Sequence, residues 1–261
     1  MAEHAGPWPA GTPCWVDIMA GDLDRTQAFY REVLGWDFTP SEEAYGGYCN
    51  AHLDGRVVAG LSPTMPGMEE APHVWTVYLA TDDLAATQKA VEGAGAQVLA
   101  PPMEVAPFGH MGVWIDPTGA AFGAWQALEH TGFTVSGEPG AVSWCDLMTG
   151  DAAAARAFYA ATFGATYEEI GSPEEPYALF TVPGGAQPAG GMGAITADLA
   201  GMPPSWGVTF EVDGTDAAAE RVTAAGGRVV RAPYDFEWGR ICMATGPDGE
   251  PFGLMTSART M

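Results

Sequence analysis

"CWVDIMAGDLDRTQAFY" occupies residues 14–30, and "SWCDLMTGDAAAARAFY" occupies residues 143–159. Aligned at a constant offset they share Trp15/Trp144, Asp17/Asp146, Met19/Met148, Gly21/Gly150, Asp22/Asp151, Ala28/Ala157, Phe29/Phe158 and Tyr30/Tyr159. Gly35 and Gly164 follow at the same distance. A match of that length marks an internal duplication, which is read before any other signal because it sets the architecture. The echo continues: "DPTGAAFGAWQ" at 116–126 is answered by "GPDGEPFGLMT" at 246–256. The repeat therefore divides the chain into a first domain at 10–127 and a second at 139–257. The Gly/Ser/Pro-containing stretch 128–138 forms the linker.

Each half carries a second, shorter period. "PCWVDIMA" alternates as a strand, and "DLDRTQAFYREVLG" places Leu23, Ala28, Phe29, Val33 and Leu34 at helical spacing before a glycine stop. "YGGYCNAHL" and "RVVAGLSP" read as short strands bounded by turn residues. The order then restarts with the strand "HVWTVYLA", the helix "DDLAATQKAVEGAG" and the strands "AQVLAPP", "MGVWI" and "AAFGAWQ". The second half repeats the pattern through "WGVTFEV", "DAAAERVTAAGG", "GRVVRAP", "RICMAT" and "PFGLMT". The predicted fold is α+β: four βαβββ modules forming two domains, each a curved mixed sheet enclosing a cavity.

Composition narrows the setting. With 33 acids against 10 bases the net charge is −23, which argues against nucleic acid and against an anionic membrane surface, since both require basic patches. Hydrophobic residues make up 47%, enough for a packed core. No apolar run reaches the length of a membrane-spanning helix. The opening "MAEHAGPWPAGTP" lacks the basic and apolar regions of a signal peptide and reads as a flexible lead-in. Four scattered cysteines without CxxC spacing suit free thiols in a reducing cytoplasm.

The strand, the "GDL" turn and the helix ending in "AFYxxxLG" from Asp22 to Gly35 resemble the vicinal oxygen chelate superfamily, which includes glyoxalase I, bleomycin-resistance proteins and extradiol dioxygenases. "DPTG" at 116–119 and "GPDG" at 246–249 resemble its "DPDGN" turn. These motifs specify a fold, and fold alone does not specify a reaction. The resemblance implies metal-ligand positions seven residues before the helix-capping Asp and four after the turn Gly. Here they hold Trp15, Trp144, Thr76, about Gly207, Gly123 and Gly253. Indole, hydroxyl and hydrogen are poor donors for a divalent ion, which takes imidazole, carboxylate or thiolate. The expectation is no metal and no cofactor; an unusual site from His52, His73 and His110 has no spacing in its favour.

If the ligand position faces the cavity, alternation also turns Asp17 and Met19, Asp146 and Met148, Tyr78 beside Thr76, and Trp125 beside Gly123 toward it. Glycine in place of the family's Glu enlarges the pocket. Such a cup suits a flat, hydrophobic, aromatic molecule, unless Trp15 and Trp144 are ordinary core residues. Asp17 and Asp146 are candidate acid/base groups or ligand anchors, or else structural acceptors. His110 in "FGHMGVW" and Arg240 in "EWGRICM" stand at the entry to matching strands and are candidate polar contacts, His110 also a catalytic one. Three functions compete: a metal-independent binder of aromatic compounds, a metal-independent isomerase, cyclase or lyase of secondary metabolism using Asp17 or Asp146, and a protein acting through protein contacts. With four modules in one chain, either a monomer or a homodimer is compatible.

Overall fold

A computed structural model describes residue 4, residues 6–196, residue 199 and residues 201–258. The first half contains β1 (Pro13–Ala20), α1 (Leu23–Leu34), β2 (Asp37–Phe38), β3 (Cys49–Leu53), β4 (Arg56–Pro63), β5 (Trp75–Ala80), α2 (Leu84–Gly93), β6 (Gln97–Val105), β7 (Gly109–Ile115) and β8 (Ala121–Ala127). The second contains β9 (Val142–Thr149), α3 (Ala152–Phe163), β10 (Thr166–Glu169), β11 (Tyr177–Thr181), β12 (Gly190–Ala194), β13 (Ser205–Glu211), α4 (Thr215–Ala224), β14 (Arg228–Phe236), β15 (Gly239–Thr245) and β16 (Pro251–Ser257). Each half builds one eight-stranded mixed sheet, in the orders β2-β3-β4-β1-β5-β8-β7-β6 and β10-β11-β12-β9-β13-β16-β15-β14. The two modules of a half join through an antiparallel pair, β1 with β5 and β9 with β13. Each sheet keeps two edge strands and stays open instead of closing into a barrel.

The helix boundaries follow from local chemistry. The side chains of Asp22, Asp83 and Asp151 accept from the backbone N–H three residues on, capping α1, α2 and α3. Gly35 and Gly164 end α1 and α3 in the left-handed conformation, at φ 75° and 68°, which costs glycine little. α4 departs from the pattern, with Gly214 at its N-cap and no side-chain cap.

Strand pairing stays within halves, yet the aromatic core runs across them. The repeated "AFY" explains why. Phe29 and Tyr30 on α1 pack against Phe252 of β16, at centroid distances of 6.1 and 5.7 Å. Phe158 and Tyr159 on α3 pack in return against Phe122 of β8, at 5.8 and 5.7 Å. Polar relays mirror this exchange. Trp75 Nε1 donates to the Tyr30 hydroxyl at 3.1 Å, which donates to Glu250 at 3.1 Å. Trp206 Nε1 donates to the Tyr159 hydroxyl at 2.9 Å, which donates to Asp116 at 2.9 Å. Gly246 stands where Asp116 stands in the first half, and a Cβ there would overlap the Glu250 carboxylate. The acid has moved four residues along the turn and still meets its tyrosine.

Two stretches are more ordered than their composition suggests. In the lead-in, Gly11 N–H donates to Ala80 O at 2.8 Å and Trp8 Nε1 to Phe133 O at 3.3 Å. In the connecting segment Phe133 and Val135 are buried, with Phe133 N–H donating to Cys14 O at 2.8 Å. All four cysteines are free and buried. Among the described residues no helix is long and apolar enough to cross a membrane.

Candidate functional site: two Trp–Tyr–Asp cups

The helices and the shared core cover one face of each sheet, and the other face is where the sequence places the cup. Register identifies its residues. Asp17 on β1 lies between Gly60 of β4 and Thr76 of β5, and Trp15 lies opposite Tyr78. Tyr78 in turn neighbours Gly123 of β8. In the second sheet Asp146 lies between Gly191 and Gly207, and Trp144 opposite Thr209, which neighbours Gly253. Cross-strand partners share a face, so alternation places Trp15, Asp17, Met19, Thr76, Tyr78 and Trp125 together, and Trp144, Asp146 and Met148 in the matching place.

A hydrogen-bond chain floors each cup. Trp15 Nε1 donates to the Tyr48 hydroxyl at 3.0 Å, which donates to Asp17 Oδ2 at 3.4 Å. Trp144 Nε1 donates to the Tyr177 hydroxyl at 2.8 Å, which donates to Asp146 Oδ2 at 3.2 Å. The two chains have identical sequence separations, 33 residues for Trp–Tyr and 31 for Tyr–Asp. Tyr48 and Tyr177 escape a reading based on strand alternation within the opening phrase. Comparing the halves past that phrase would have exposed them.

Glycine makes the chains possible. A Cβ on Gly60 would overlap the Tyr48 hydroxyl, and one on Gly191 would overlap that of Tyr177. Gly191→Ala is therefore expected to push Tyr177 off Asp146 and cost about 1–3 kcal/mol, as overpacking does, read as a lowered midpoint in thermal unfolding. An unchanged midpoint would refute this contact.

Burial pushes the Asp17 carboxyl up to about 7, against hydrogen bonds from Tyr78 and Tyr48 that favour the anion. Asp146 is pushed up to about 6 by burial, opposed by Tyr177 alone. The phenols rise with them: burial and the neighbouring carboxylates hold Tyr48 and Tyr177 well above the usual range. Near neutral pH each cup thus holds a carboxyl that exchanges a proton readily, beside phenols that do not.

Several expected placements change. His110 pairs with Gln126 and Glu104, and its neighbour Met111 pairs with Trp125, so His110 is on the opposite face of the sheet from the cup. Arg240 likewise turns outward, donating to Asp216 on α4 at 2.7 Å and to Asp235 at 2.9 Å. Glycine at position 123 does not enlarge the first cup, because the Tyr78 ring lies over it; Thr209 takes that place over Gly253. His130, in the stretch that reads as a linker, carries no motif that would mark it. Its ring meets Trp15 edge-on at 4.4 Å and Trp125 at 5.4 Å, and burial pushes its pKa down to about 4.

The donor set does not fit the divalent metal that the fold implies. Beside Asp17 stand the phenols of Tyr48 and Tyr78, and beside Asp146 stand Tyr177 and the bare Gly207. His73 Nδ1 is within hydrogen-bonding distance of Met19 O at 2.9 Å, His52 pairs with Asp37, and His110 lies on the far face. Among the described residues, no three His, Cys, Asp or Glu side chains converge as a metal site.

The profile of the Glyoxalase/Bleomycin resistance protein/Dioxygenase superfamily matches residues 13–122 and again 141–254. "Putative glyoxylase CFP32" of Mycobacterium bovis is 36% identical over 254 residues, 95% of each chain. "Anthracycline biosynthesis protein DnrV" of Streptomyces peucetius is 35% identical over 262 residues, 94% of this chain and 93% of that one. Among solved structures, the Mn(II)-bound glyoxalase from Novosphingobium aromaticivorans superposes with a TM-score of 0.65 at 16% identity, covering 95% of this chain and 82% of its own. That likeness carries the fold alone.

Proposed function

The chain belongs to the Glyoxalase/Bleomycin resistance protein/Dioxygenase superfamily, and from that premise we propose that it binds a hydrophobic, aromatic small molecule in a Trp-lined cup without a metal. The observation that carries this reading is the Trp–Tyr–Asp chain. It occupies the floor of the cup where relatives of this fold use ligating side chains, and it offers an indole face beside one carboxyl. Indole stacks on flat rings, and a carboxyl beside it accepts a ligand hydroxyl. A relative named for anthracycline biosynthesis is compatible with such a ligand, and with a place in secondary metabolism.

A second reading has a specific observation behind it. Asp146, raised to about 6, is poised to take and return a proton near neutral pH, which an isomerase, cyclase or lyase needs.

The test uses 1,8-dihydroxyanthraquinone, a flat hydroxylated probe, and protein purified without chelator or affinity nickel. Saturable quenching of tryptophan emission is expected, with zinc, iron and manganese all far below one equivalent per chain. Asp146→Asn is expected to weaken binding roughly tenfold, the value of one hydrogen bond to a charged group. Stoichiometric metal, or no saturable binding, would sink the proposal. Conversion of an aromatic substrate by the wild type and not by Asp146→Asn would favour the enzyme.

A further inference from the structure

The two cups are unequal, and we infer that the chain holds a single exchangeable aromatic ligand, seated in the cup of the second sheet, while the first cup is filled by the chain's own side chains. This rests on the binding function proposed above and assigns it to one of two duplicated sites. The duplication itself supplies the comparison. Tyr78, whose ring covers Gly123, is replaced in the second sheet by Thr209 over Gly253. Thr76 opposite Asp17 becomes Gly207 opposite Asp146. Trp125 becomes Met255, since Ala80 neighbours Trp125 as Glu211 neighbours Met255. Two rings and a threonine give way to a threonine, a thioether and a glycine, while Ala80 and Val113 are exchanged for Glu211, held by Ser143 and Ser257, and for the partly exposed Met243.

The connecting segment completes the contrast. The His130 ring lies 4.4 Å from Trp15 and 5.4 Å from Trp125, and Trp125 Nε1 donates to His130 O at 2.8 Å. Phe133 follows at 5.7 Å from Trp15. Trp15 is left 3% exposed. Trp144 is half-buried, Met243 beside Gly253 is 36% exposed, and among the described residues no ring packs on Trp144.

The polar floors differ in the same sense. Asp17 accepts from the Tyr48 hydroxyl at 3.4 Å and has the buried Tyr78 beside it on the neighbouring strand. Asp146 takes one, from Tyr177 on Oδ2, and its Oδ1 stands 3.2 Å from where a Cβ on Gly207 would be. The first carboxyl is hemmed in by Thr76 and Tyr78 of β5. The second keeps an oxygen for a ligand hydroxyl, above which a flat ring stacks on Trp144. The favoured ligand is a hydroxylated planar aromatic whose hydroxyl meets Asp146.

Equilibrium dialysis of the full chain against 1,8-dihydroxyanthraquinone tests this, alongside hydroxyl-radical footprinting without the probe. One equivalent per chain is expected, with a loss of up to about tenfold in affinity for Trp144→Ala, the scale of one lost stacking contact. The His130→Gly/Trp125→Ala variant is expected to take up a second equivalent. Footprinting is expected to oxidise Trp144 and Met243 well ahead of Trp15 and Trp125, which keeps the inference testable should that variant not fold. Two equivalents in the wild type, full binding by Trp144→Ala, or equal oxidation of Trp15 and Trp144 would overturn it. Failure of the binding function itself looks different: no saturable uptake by the wild type, with the footprinting contrast intact.

Discussion

Trp36→Ala is expected to lower the unfolding free energy by roughly 3–5 kcal/mol, the range for removing a buried indole. Trp36 is fully buried at 0% exposure. It stacks on Tyr30 at 5.2 Å and meets Phe210 of the second half edge-on at 5.4 Å. Its Nε1 donates to Gly140 O at 2.6 Å, so truncation also strands a buried carbonyl. These contacts join α1, the connecting segment and β13, which belong to different halves. The loss is therefore expected to appear in one cooperative transition covering the whole chain. Urea unfolding followed by tryptophan emission and by far-UV circular dichroism checks both points. Non-coincident transitions in the wild type, or a loss below about 1 kcal/mol, would show that the halves are held together elsewhere.

A pH dependence of comparable size is expected from the first cup. The Asp17 carboxyl moves from 3.8 to about 7 on folding, so between those values the folded chain keeps a proton that the unfolded chain has lost. Stability then falls as pH rises across that window. The full shift bounds the effect at about 4 kcal/mol, and solvent reaching a half-buried side chain reduces it to about 2 kcal/mol. Asp146, raised to about 6, and Glu250, also raised by burial, act in the same direction. His130, lowered to about 4, acts in the opposite one, adding stability as pH rises from 4 to 6.5. The difference between wild type and Asp17→Asn isolates the first carboxyl. Wild type is expected to lose about 1 kcal/mol more than Asp17→Asn between pH 5 and pH 8, the part of the effect that lies above pH 5, measured as urea midpoints across that range. Parallel pH profiles would mean that Asp17 is ionised and solvated in the folded chain.

The duplication made most of the architecture legible in the sequence. Two copies of one phrase, each followed by a strand–helix–strand pattern, imply four similar modules and two sheets. The capping aspartates and stop glycines locate three of the four helices, because those signals act within one turn of chain. Alternation also places Trp15, Asp17, Trp144 and Asp146 on a common face, since side-chain direction along a strand is a local property. The placement of His110 and Arg240 follows the same local rule. Position at a strand entry does not fix the face, and alternation against Trp125 in register with Met111 turns His110 away.

What remained was decided by contacts between segments far apart in the chain. Tyr48 reaches Asp17 only because Gly60, on a strand paired beside it, leaves room for the hydroxyl. Nothing local to Tyr48 states this. That strands pair within halves while the aromatic faces of α1 and α3 cross between them depends on which apolar surfaces meet, and close packing settles that only in three dimensions. The fate of each cup follows the same rule. Trp15 and Trp144 are equivalent in sequence, but His130 and Trp125 close over one of them and leave the other half-buried. Sequence determined that there are two cups; tertiary packing decided that they are different.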